Sequence, residues 1–372
     1  MPNRYDIQVF TTVDDIGKDS IDAISGDSAF TYGWFKTIEH QTNLNFTPKY
    51  FAAYESDKLI GLAPCFLDTI GNYFSFGPHV IPFMSELMRL GERVGIWQKR
   101  ILVCYSPFCY RSKILLSETC SKKDVLHLLL EKIDYICKKE RILFSSFLFV
   151  SEFDKLLSNE VWTFHYKKFP WKYTYYIDVN WSNFEEYLTS LTRWSRKTIR
   201  RDIKKCRENG VIFNYEAELG ELSEKLSFLH SNLFRKHNKG HLNSPYQPSF
   251  FKSLNEFAGD SVKVFIAQKK GKVMGFSLRM GHKNVLDSIM VGFDYDFQET
   301  DCAYFNLAFY EPIKWAIKKG FKKIYYRFTA EEGKIRRGCK REQIFTYVKC
   351  YNRFLDALAD VYVKRKYKNC LC

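Results

Sequence analysis

The spacing of apolar and polar positions changes along the 372-residue chain, and the changes outline short strands and amphipathic helices. Runs of β-favouring residues that are bounded by polar breakers predict strands. Apolar residues spaced three and four apart predict helices. The main predicted strands are 142–150, 172–179, 262–268, 273–280, 285–293 and 322–328, and the main predicted helices are 122–140 and 303–319. This mixture favours an α+β fold with mixed sheets of the α/β type.

One stretch that reads as strand, tight polar turn and strand occurs twice. Residues 49–61 and 263–275 align without a gap at a constant offset of 214 positions. Apolar helix candidates precede both copies, at 34–39 and 250–255. Hairpins can resemble one another by chance, but self-similarity at a fixed spacing usually marks a duplicated unit. The matched residues are Lys49, Phe51, Ala53, Lys58 and Gly61 in the first copy and Lys263, Phe265, Ala267, Lys272 and Gly275 in the second.

Length and charge support two domains that differ in their partners. A chain of 372 residues exceeds what one core usually serves, so we predict domains at 1–160 and 161–372, with the cleft between them as the first place to look for function. Residues 1–160 hold 18 Lys and Arg against 20 Asp and Glu, whereas residues 161–372 hold 39 against 22. The second domain is therefore predicted to meet an anionic partner such as nucleic acid, a phosphate-bearing cofactor or a membrane surface.

The densest positive charge lies on a predicted amphipathic helix at 188–208. Ser182 and Glu185 fit a capping box before it, and Asn209-Gly210 is typical of its end. Eight cations between 193 and 207 are accompanied by a single acid, Asp202, so few ion pairs along the helix account for them. We expect this face to contact phosphates rather than only solvent. The cations most suited to that contact are Arg196, Lys197, Arg200 and Arg201.

Cysteine usage and apolar run lengths place the chain in a reducing, cytoplasmic setting. Eleven cysteines form no C-x-x-C pair, and no export signal or membrane-length apolar run is present, so free thiols are expected. His237 and His241 have the spacing of helical metal ligands, but a loop-like Asn-Lys-Gly separates them. We therefore expect no metal site.

Three segments of the chain resemble segments of one protein family, and they occur in the same order as in that family. The basic stretch 195–211 resembles the basic helix of the FemAB-like predicted N-acyltransferases, proteins built from two GNAT-like domains. Residues 303–321 resemble that family's helix, and Glu332-Gly-Lys-Ile-Arg-Arg-Gly338 resembles its Glu-x-Lys-x-x-Arg-Gly signature. The family's helix commonly opens Leu-His-Phe-Glu where this chain has Ala-Tyr-Phe-Asn, and its Glu-His-Lys is here Glu-Gly-Lys. The resemblance implies two tandem GNAT-like domains and transfer of an acyl or aminoacyl group to an amine.

The resemblance also implies roles for residues in the second domain. Glu332 or Tyr304 would manage the acceptor's proton, and Lys334 with Arg337 would hold an anionic group of donor or acceptor. Alternation within strands makes Asp287, Arg279 and Arg327 further substrate-binding candidates. The same alternation is also expected if these side chains lie on the solvent-facing side of a sheet. No tightly bound cofactor is implied. The co-substrate is an aminoacyl-tRNA or an acyl thioester of CoA or a carrier protein, and the acceptor is a small-molecule or envelope-precursor amine.

The stretch before the second helix bears on the choice of donor. GNAT enzymes that use CoA carry a glycine-rich run there, whose amides hold pyrophosphate at the helix start. Residues 294–302 contain no glycine and four acids. CoA bound in the usual manner is therefore disfavoured, and a tRNA-bound or carrier-bound donor is favoured. Two alternatives stay open: an RNA-binding protein that has lost the chemistry, and an enzyme that docks on anionic lipid through the basic helix.

Overall fold

A computed structural model of the protein describes residues 4–41, 46–68, 100–215, 218–237, 246–297 and 300–366. Strands and helices alternate along these ranges. The strands are β1 (Asp6–Phe10), β2 (Phe46–Glu55), β3 (Lys58–Asp68), β4 (Ile101–Cys104), β5 (Leu115–Leu116), β6 (Phe144–Ser151), β7 (Lys167–Asp178), β8 (Val211–Asn214), β9 (Val262–Lys269), β10 (Lys272–His282), β11 (Val285–Phe293), β12 (Lys323–Arg327) and β13 (Lys340–Cys350).

Helices flank the strands in both halves of the chain. They are α1 (Lys18–Ile24), α2 (Tyr32–Glu39), α3 (Lys122–Lys139), α4 (Lys155–Thr163), α5 (Phe184–Ser190), α6 (Arg193–Glu208), α7 (Leu219–His237), α8 (Pro248–Ala258), α9 (Thr300–Phe305), α10 (Glu311–Lys319), α11 (Glu331–Ile335) and α12 (Arg353–Lys366). Both helix candidates that precede the repeated hairpins are confirmed as α2 and α8. No helix among the described residues is long and apolar enough to cross a membrane.

The chain forms two compact units whose ranges differ from those predicted. Unit 1 contains residues 1–26, 30–173 and 342–372, and unit 2 contains residues 27–29 and 174–341. The change of unit falls within β7, so it comes later than the predicted boundary at 160. The end of the chain belongs to unit 1 because β13 pairs antiparallel with β6 and buries Tyr347 and Val348 there.

The two units repeat one sheet arrangement. In unit 1 the strand order is β1-β2-β3-β4-β6-β13, and in unit 2 it is β8-β9-β10-β11-β12-β7. All neighbours are antiparallel except β4 with β6 and β11 with β12, which are parallel at equivalent places. A helical segment, α3 or α9–α10, connects each parallel pair. The predicted tandem GNAT-like architecture is therefore confirmed.

The repeated hairpins match residue by residue. Ala53 faces Gly61 across β2 and β3, and Ala267 faces Gly275 across β9 and β10. Both ladders are interrupted at the same place, one residue before the glycine. Both turns consist of two residues with positive φ, Ser56-Asp57 and Lys270-Gly271, which is the type that suits the twist of a hairpin. Registers this alike indicate duplication rather than a chance likeness.

Tight packing explains why glycine recurs in both copies. A Cβ on Gly61 would lie 2.7 Å from a methyl of Val125 on α3, and a Cβ on Gly275 would lie 2.4 Å from the ring of Phe293 on β11. The strand after each connecting helix also bends at a non-glycine residue with positive φ, Phe149 in β6 and Arg327 in β12. These shared irregularities extend the duplication beyond the hairpins.

The basic segment is two helices rather than the single predicted one. The first helix, α5, is capped by Asn183, whose side chain accepts from the amide of Glu186, so the capping box lies one residue later than Ser182 and Glu185. The chain then leaves helical geometry at Leu191, and Thr192 caps α6 by accepting from the amide of Ser195. The predicted end at Asn209-Gly210 is confirmed, with Gly210 at φ 69°.

Candidate functional site

The basic face of α6 is exposed, but its four predicted phosphate-binding cations are not equivalent. Arg196 donates to the carbonyls of Thr189 and Leu191 at 2.9 and 2.8 Å, so it caps the end of α5. Arg200 pairs with Glu185 at 2.8 Å on the surface. Lys197 is exposed and makes no ion pair within the described part of the chain, and Arg201 makes only a 3.7 Å contact with Asp202. Lys197 and Arg201 are therefore the two predicted cations that are most accessible to a phosphate.

Asp202, the single acid of this run, connects α6 to the signature segment. Its carboxylate accepts from the hydroxyl of Tyr310 at 2.9 Å and from Arg337 at 3.3 Å. The Arg337 guanidinium also donates to the Tyr310 oxygen at 3.1 Å and to the carbonyl of Gly333 at 2.9 Å, and it lies 3.4 Å above the ring of Phe305. Arg337 is buried, so these contacts fix α11 against α6 and α9.

A cavity of about 340 Å³ opens beside this network, within unit 2. Three guanidinium groups and two carboxylates face it, together with a few apolar and hydroxyl side chains. Its volume is at the lower end of the range for small-molecule sites. The lining residues are Trp194, Ser195, Thr198, Ile199, Arg201 and Asp202 of α6, Phe305 of α9, and Glu332, Gly333, Arg336 and Arg337 at α11.

Beside the cavity's α11 wall, the parallel strands β11 and β12 separate after a short pairing. Their register covers three residues, 285–287 against 323–325, and Arg327 then adopts φ 62°. Arg327 donates through Nε to the carbonyl of Ser288 on β11. Lys334 donates to the carbonyl of Arg327 at 2.7 Å. Two predicted substrate-binding cations thus satisfy backbone carbonyls where the strands part.

Arg279 also donates to a backbone carbonyl, in the helical segment that connects β11 to β12. Between α9 and α10, residues Asn306–Tyr310 form a π-helical turn, a feature that is frequent at functional sites. Arg279, on β10, donates to the carbonyl of Ala308 in that turn and lies over the ring of Tyr326 at 5.2 Å. Its side chain is fully buried, and its Nε and Nη1 have no hydrogen-bond partner among the described residues.

Burial of these cations changes their acid–base properties. The pKa of Lys334 is lowered to about 7, chiefly by burial; Cys339 opposes this shift, and the nearby guanidinium groups of Arg327 and Arg279 contribute to it. The pKa of Arg279 is lowered to about 10, chiefly by burial. Lys334 is the only one of the two whose pKa lies near neutrality.

The remaining predicted residues lie in three different settings. Glu332 lines the cavity, is mostly exposed and pairs with Arg336 one turn along α11. Tyr304 packs between the rings of Phe293 and Phe305 and is not among the cavity's lining residues. Asp287 is buried and accepts from the hydroxyl of Ser28 at 2.5 Å. Of the predicted catalytic pair, Glu332 is therefore the residue in contact with the cavity.

Sequence reasoning missed several residues of this site. Trp194, Phe305 and Arg336 line the cavity, and Tyr310 completes the Asp202 network. The isolation of Asp202 among eight cations was the one available signal, since an unneutralised run with a single acid points to a special partner for that acid. The spacing of His237 and His241, for which no metal role is expected, cannot be compared with the structure because His241 lies outside the described residues.

Solved structures of similar fold cover almost the whole chain. A crystal structure of FemX superposes with a TM-score of 0.61 at 11% identity, covering 94% of this chain and 99% of that one. L-PGS from Bacillus licheniformis gives 0.54 at 11% identity, covering 94% and 98%. A tandem GNAT protein from the clavulanic acid biosynthesis pathway gives 0.50 at 7% identity, covering 94% and 99%. At these identities the likeness establishes the fold alone.

The family is established by sequence rather than by superposition. No curated protein matches the chain significantly. The profile of the FemAB-like family, described as peptidoglycan biosynthesis/recognition, matches residues 12–371. That range includes both copies of the hairpin, the basic helix α6 and the signature segment at α11. The chain therefore belongs to the FemAB-like family, with the tandem GNAT-like fold.

Proposed function

We propose that the protein is an N-acyltransferase that moves an acyl or aminoacyl group from an activated donor to an amine of an envelope precursor or a similar acceptor. The observation that carries this proposal is the cavity in unit 2, because it joins the exposed basic helix α6 to the signature segment Glu332–Arg337 in one place. The family's description as peptidoglycan biosynthesis/recognition supports an envelope substrate. The FemX and L-PGS folds support the same general class.

The donor that fits this surface best is aminoacyl-tRNA. The exposed cations of α6, including Lys197 and Arg201, offer salt-dependent contacts to RNA phosphates. The acidic stretch before α9 disfavours pyrophosphate at that helix start, which argues against CoA held in the usual GNAT manner. The free thiols of the described cysteines fit a reducing compartment such as the cytoplasm.

The reaction is a direct transfer that needs positioned groups rather than a redox partner. The acceptor nitrogen attacks the donor carbonyl carbon, a C–N bond forms, and the ester C–O bond breaks. Glu332 accepts the proton that the nitrogen loses, and the departing ribose oxygen takes up a proton. Arg337 sets positive charge beside the carbonyl oxygen while it carries negative charge. Holding both reactants in line supplies much of the acceleration.

A transfer assay with two donors tests this proposal. Purified protein is incubated with tRNA that carries radiolabelled amino acids, or with acyl-CoA, and an amine-bearing peptidoglycan precursor. Product is expected from charged tRNA. Glu332→Gln is expected to lower the rate about 100-fold or more, as loss of a general base does. Glu331→Gln is the matched control, since Glu331 is exposed on the same helix and does not line the cavity. Equal rates for the two variants would refute the role of Glu332.

A second candidate function is RNA binding without catalysis. It is favoured by one observation: Glu332, the only predicted proton-handling residue at the cavity, is exposed and paired with Arg336. In this case tRNA binds tightly with a steep dependence on salt, and no label reaches any amine. Transfer from acyl-CoA alone, with no tRNA binding, would instead support a thioester donor.

A further inference from the structure

The helix α12 of unit 1 exposes a row of large apolar side chains. Phe354 is 71% exposed, Val361 is 49% exposed and Leu358 is 38% exposed. Their spacing of four and then three residues places them on one face of the helix. Single exposed apolar side chains are common on protein surfaces, but an aligned group of them marks a surface that contacts another body.

The other side of α12 is fixed to unit 1. Ala359 is fully buried. Lys167, at the start of β7, pairs with Asp356 and, at 3.4 Å, with Asp360. These are the two acids that α12 carries, so the unit on which the helix packs neutralises both of them. The helix therefore presents its apolar row outward from a side that is held in place.

Positive charge accompanies the apolar row. Arg353 is exposed at the first position of α12, and the sequence at the end of the helix is Lys364-Arg365-Lys366. A helix with Phe and Leu on one face and several Lys and Arg residues besides has the composition of a helix that lies in the plane of a membrane surface. Anionic lipid headgroups attract its cations, while its apolar side chains enter the boundary of the acyl chains.

Charge and apolar character together distinguish a lipid surface from other occupants. Phosphates of a nucleic acid would attract the cations but would leave Phe354, Leu358 and Val361 in water. A second copy of the chain in a symmetric contact would bring the same cations together, and the acids of α12 are already paired with Lys167. An anionic bilayer satisfies both the cations and the apolar row.

We propose that α12 docks unit 1 on an anionic lipid bilayer, with Phe354, Leu358 and Val361 inserted at the acyl-chain boundary. The helix lies along the surface, and its cations contact the headgroups. The inference is independent of the proposed function, because none of these residues lines the cavity of unit 2.

Flotation of the full-length protein with lipid vesicles tests this surface. The vesicles contain phosphatidylcholine alone or phosphatidylcholine mixed with phosphatidylglycerol. The wild type is expected to bind the anionic vesicles at least tenfold more tightly than the neutral ones. Phe354→Asp is expected to weaken binding to the anionic vesicles about tenfold or more, as loss of one buried aromatic side chain does. Lys364→Gln combined with Arg365→Gln is expected to weaken it about 25-fold, since each cation near an anionic surface contributes about fivefold.

Phe153→Asp is the matched control for Phe354→Asp. Phe153 is 62% exposed in unit 1, but it follows β6 and lies outside α12. Its substitution is expected to leave vesicle binding unchanged. Phe354→Ser removes the same ring without adding a charge and is expected to weaken binding about tenfold as well. Thermal unfolding is expected to be the same for all these variants, because the side chains that they change are exposed or lie at the end of the helix.

Three results would overturn the inference. One is equal binding of anionic vesicles by folded wild type, Phe354→Asp and Phe354→Ser, or no binding by the wild type. Another is loss of vesicle binding in Lys197→Gln with Arg201→Gln but not in the Phe354 variants, which would assign the lipid contact to α6. The third is a wild-type dimer, measured by light scattering, that Phe354→Asp dissociates, which would assign the row to a second copy. Because no transfer is measured, a failed transfer assay leaves these results valid.

Discussion

Lys334 shows how a cation can be both a structural and a chemical feature of this site. It is buried, and its ammonium group donates to the Arg327 carbonyl at the point where β12 bends. Burial is the main cause of its pKa near 7. Lys334 does not line the cavity but supports the point where β11 and β12 separate, and its predicted contact with an anionic substrate group stays a prediction.

The pH dependence of stability tests this environment of Lys334. The folded protein holds Lys334 with a pKa of about 7, against the ordinary value of 10.5 in the unfolded chain. Between these values the unfolded chain binds more protons, so stability rises with pH at up to about 1.4 kcal/mol per pH unit. Relative to Lys334→Met, the wild type should therefore lose stability as the pH falls from about 10 to 7. Urea unfolding across this range measures the difference, and Lys318→Met is the exposed control.

Substitution of Arg337 by lysine is expected to lower the stability of the protein. Its three guanidinium nitrogens donate to Tyr310, Gly333 and Asp202, a fork that an ammonium group cannot reproduce. Arg337→Lys should destabilise the protein by about 1–3 kcal/mol, since buried acceptors lose their donors. Arg336→Lys, on the exposed side of the same helix, should change stability by less than about 0.5 kcal/mol. Thermal unfolding of the two variants that gives equal shifts would contradict this reading.

At the scale of secondary-structure elements, the two hairpins share their strand register, the position of the ladder interruption and their turn type. The elements therefore agree with the repeat seen in the sequence. The sequence predicted both hairpins and the helices before them, since alternation and turn residues act locally. It did not predict the break at Leu191–Thr192 or the π-helical turn at Asn306–Tyr310. The π-helical turn depends on a partner that lies far away in sequence, Arg279, which donates to the carbonyl of Ala308. The break is instead stabilised locally, by the Thr192 cap and by Arg196 at the end of α5.

The repeated glycines make the duplication testable by mutation. Gly61→Ala and Gly275→Ala should each cost about 1–3 kcal/mol, the usual penalty for overpacking. The second should cost more, because its new methyl meets the rigid ring of Phe293 at 2.4 Å rather than a methyl of Val125. In a Val125→Ala background the cost of Gly61→Ala should fall, whereas the cost of Gly275→Ala should not. A double-mutant cycle by chemical denaturation measures this coupling, and additive costs for Gly61 and Val125 would contradict it.

At the scale of the whole molecule, the chain leaves unit 1 and returns to it. The predicted second domain at 161–372 followed charge and the family resemblance, and most of unit 2, residues 174–341, lies within that range. Pairing of β13 with β6 decided that residues 342–372 belong to unit 1. A local pattern cannot reveal this, because either sheet edge accepts a strand of that apolar character.

Truncation of the chain tests whether β13 stabilises unit 1 by pairing with β6. A protein that ends at Arg341 lacks β13 and should lose amide protection along Phe144–Ser151 of β6, whose partner strand is removed. A protein that ends at Asn352 keeps β13 and should retain that protection. Hydrogen exchange followed by mass spectrometry makes the comparison. Equal protection of β6 in the two truncated proteins would show that β13 does not support unit 1.

The sequence by itself determined the doubled hairpin and the helices before it, the strands β6, β7 and β9–β12, the helix α3, the basic segment and the signature segment, because each is encoded by contiguous residues. It also identified Glu332, Arg337 and the cationic face of α6 as parts of one region, by resemblance. Only the tertiary structure decided that Lys334, Arg327 and Arg279 satisfy backbone carbonyls while Trp194, Asp202 and Phe305 face the cavity. The physical reason is that a buried polar group must find a partner wherever the fold provides one, and that partner is usually distant along the chain.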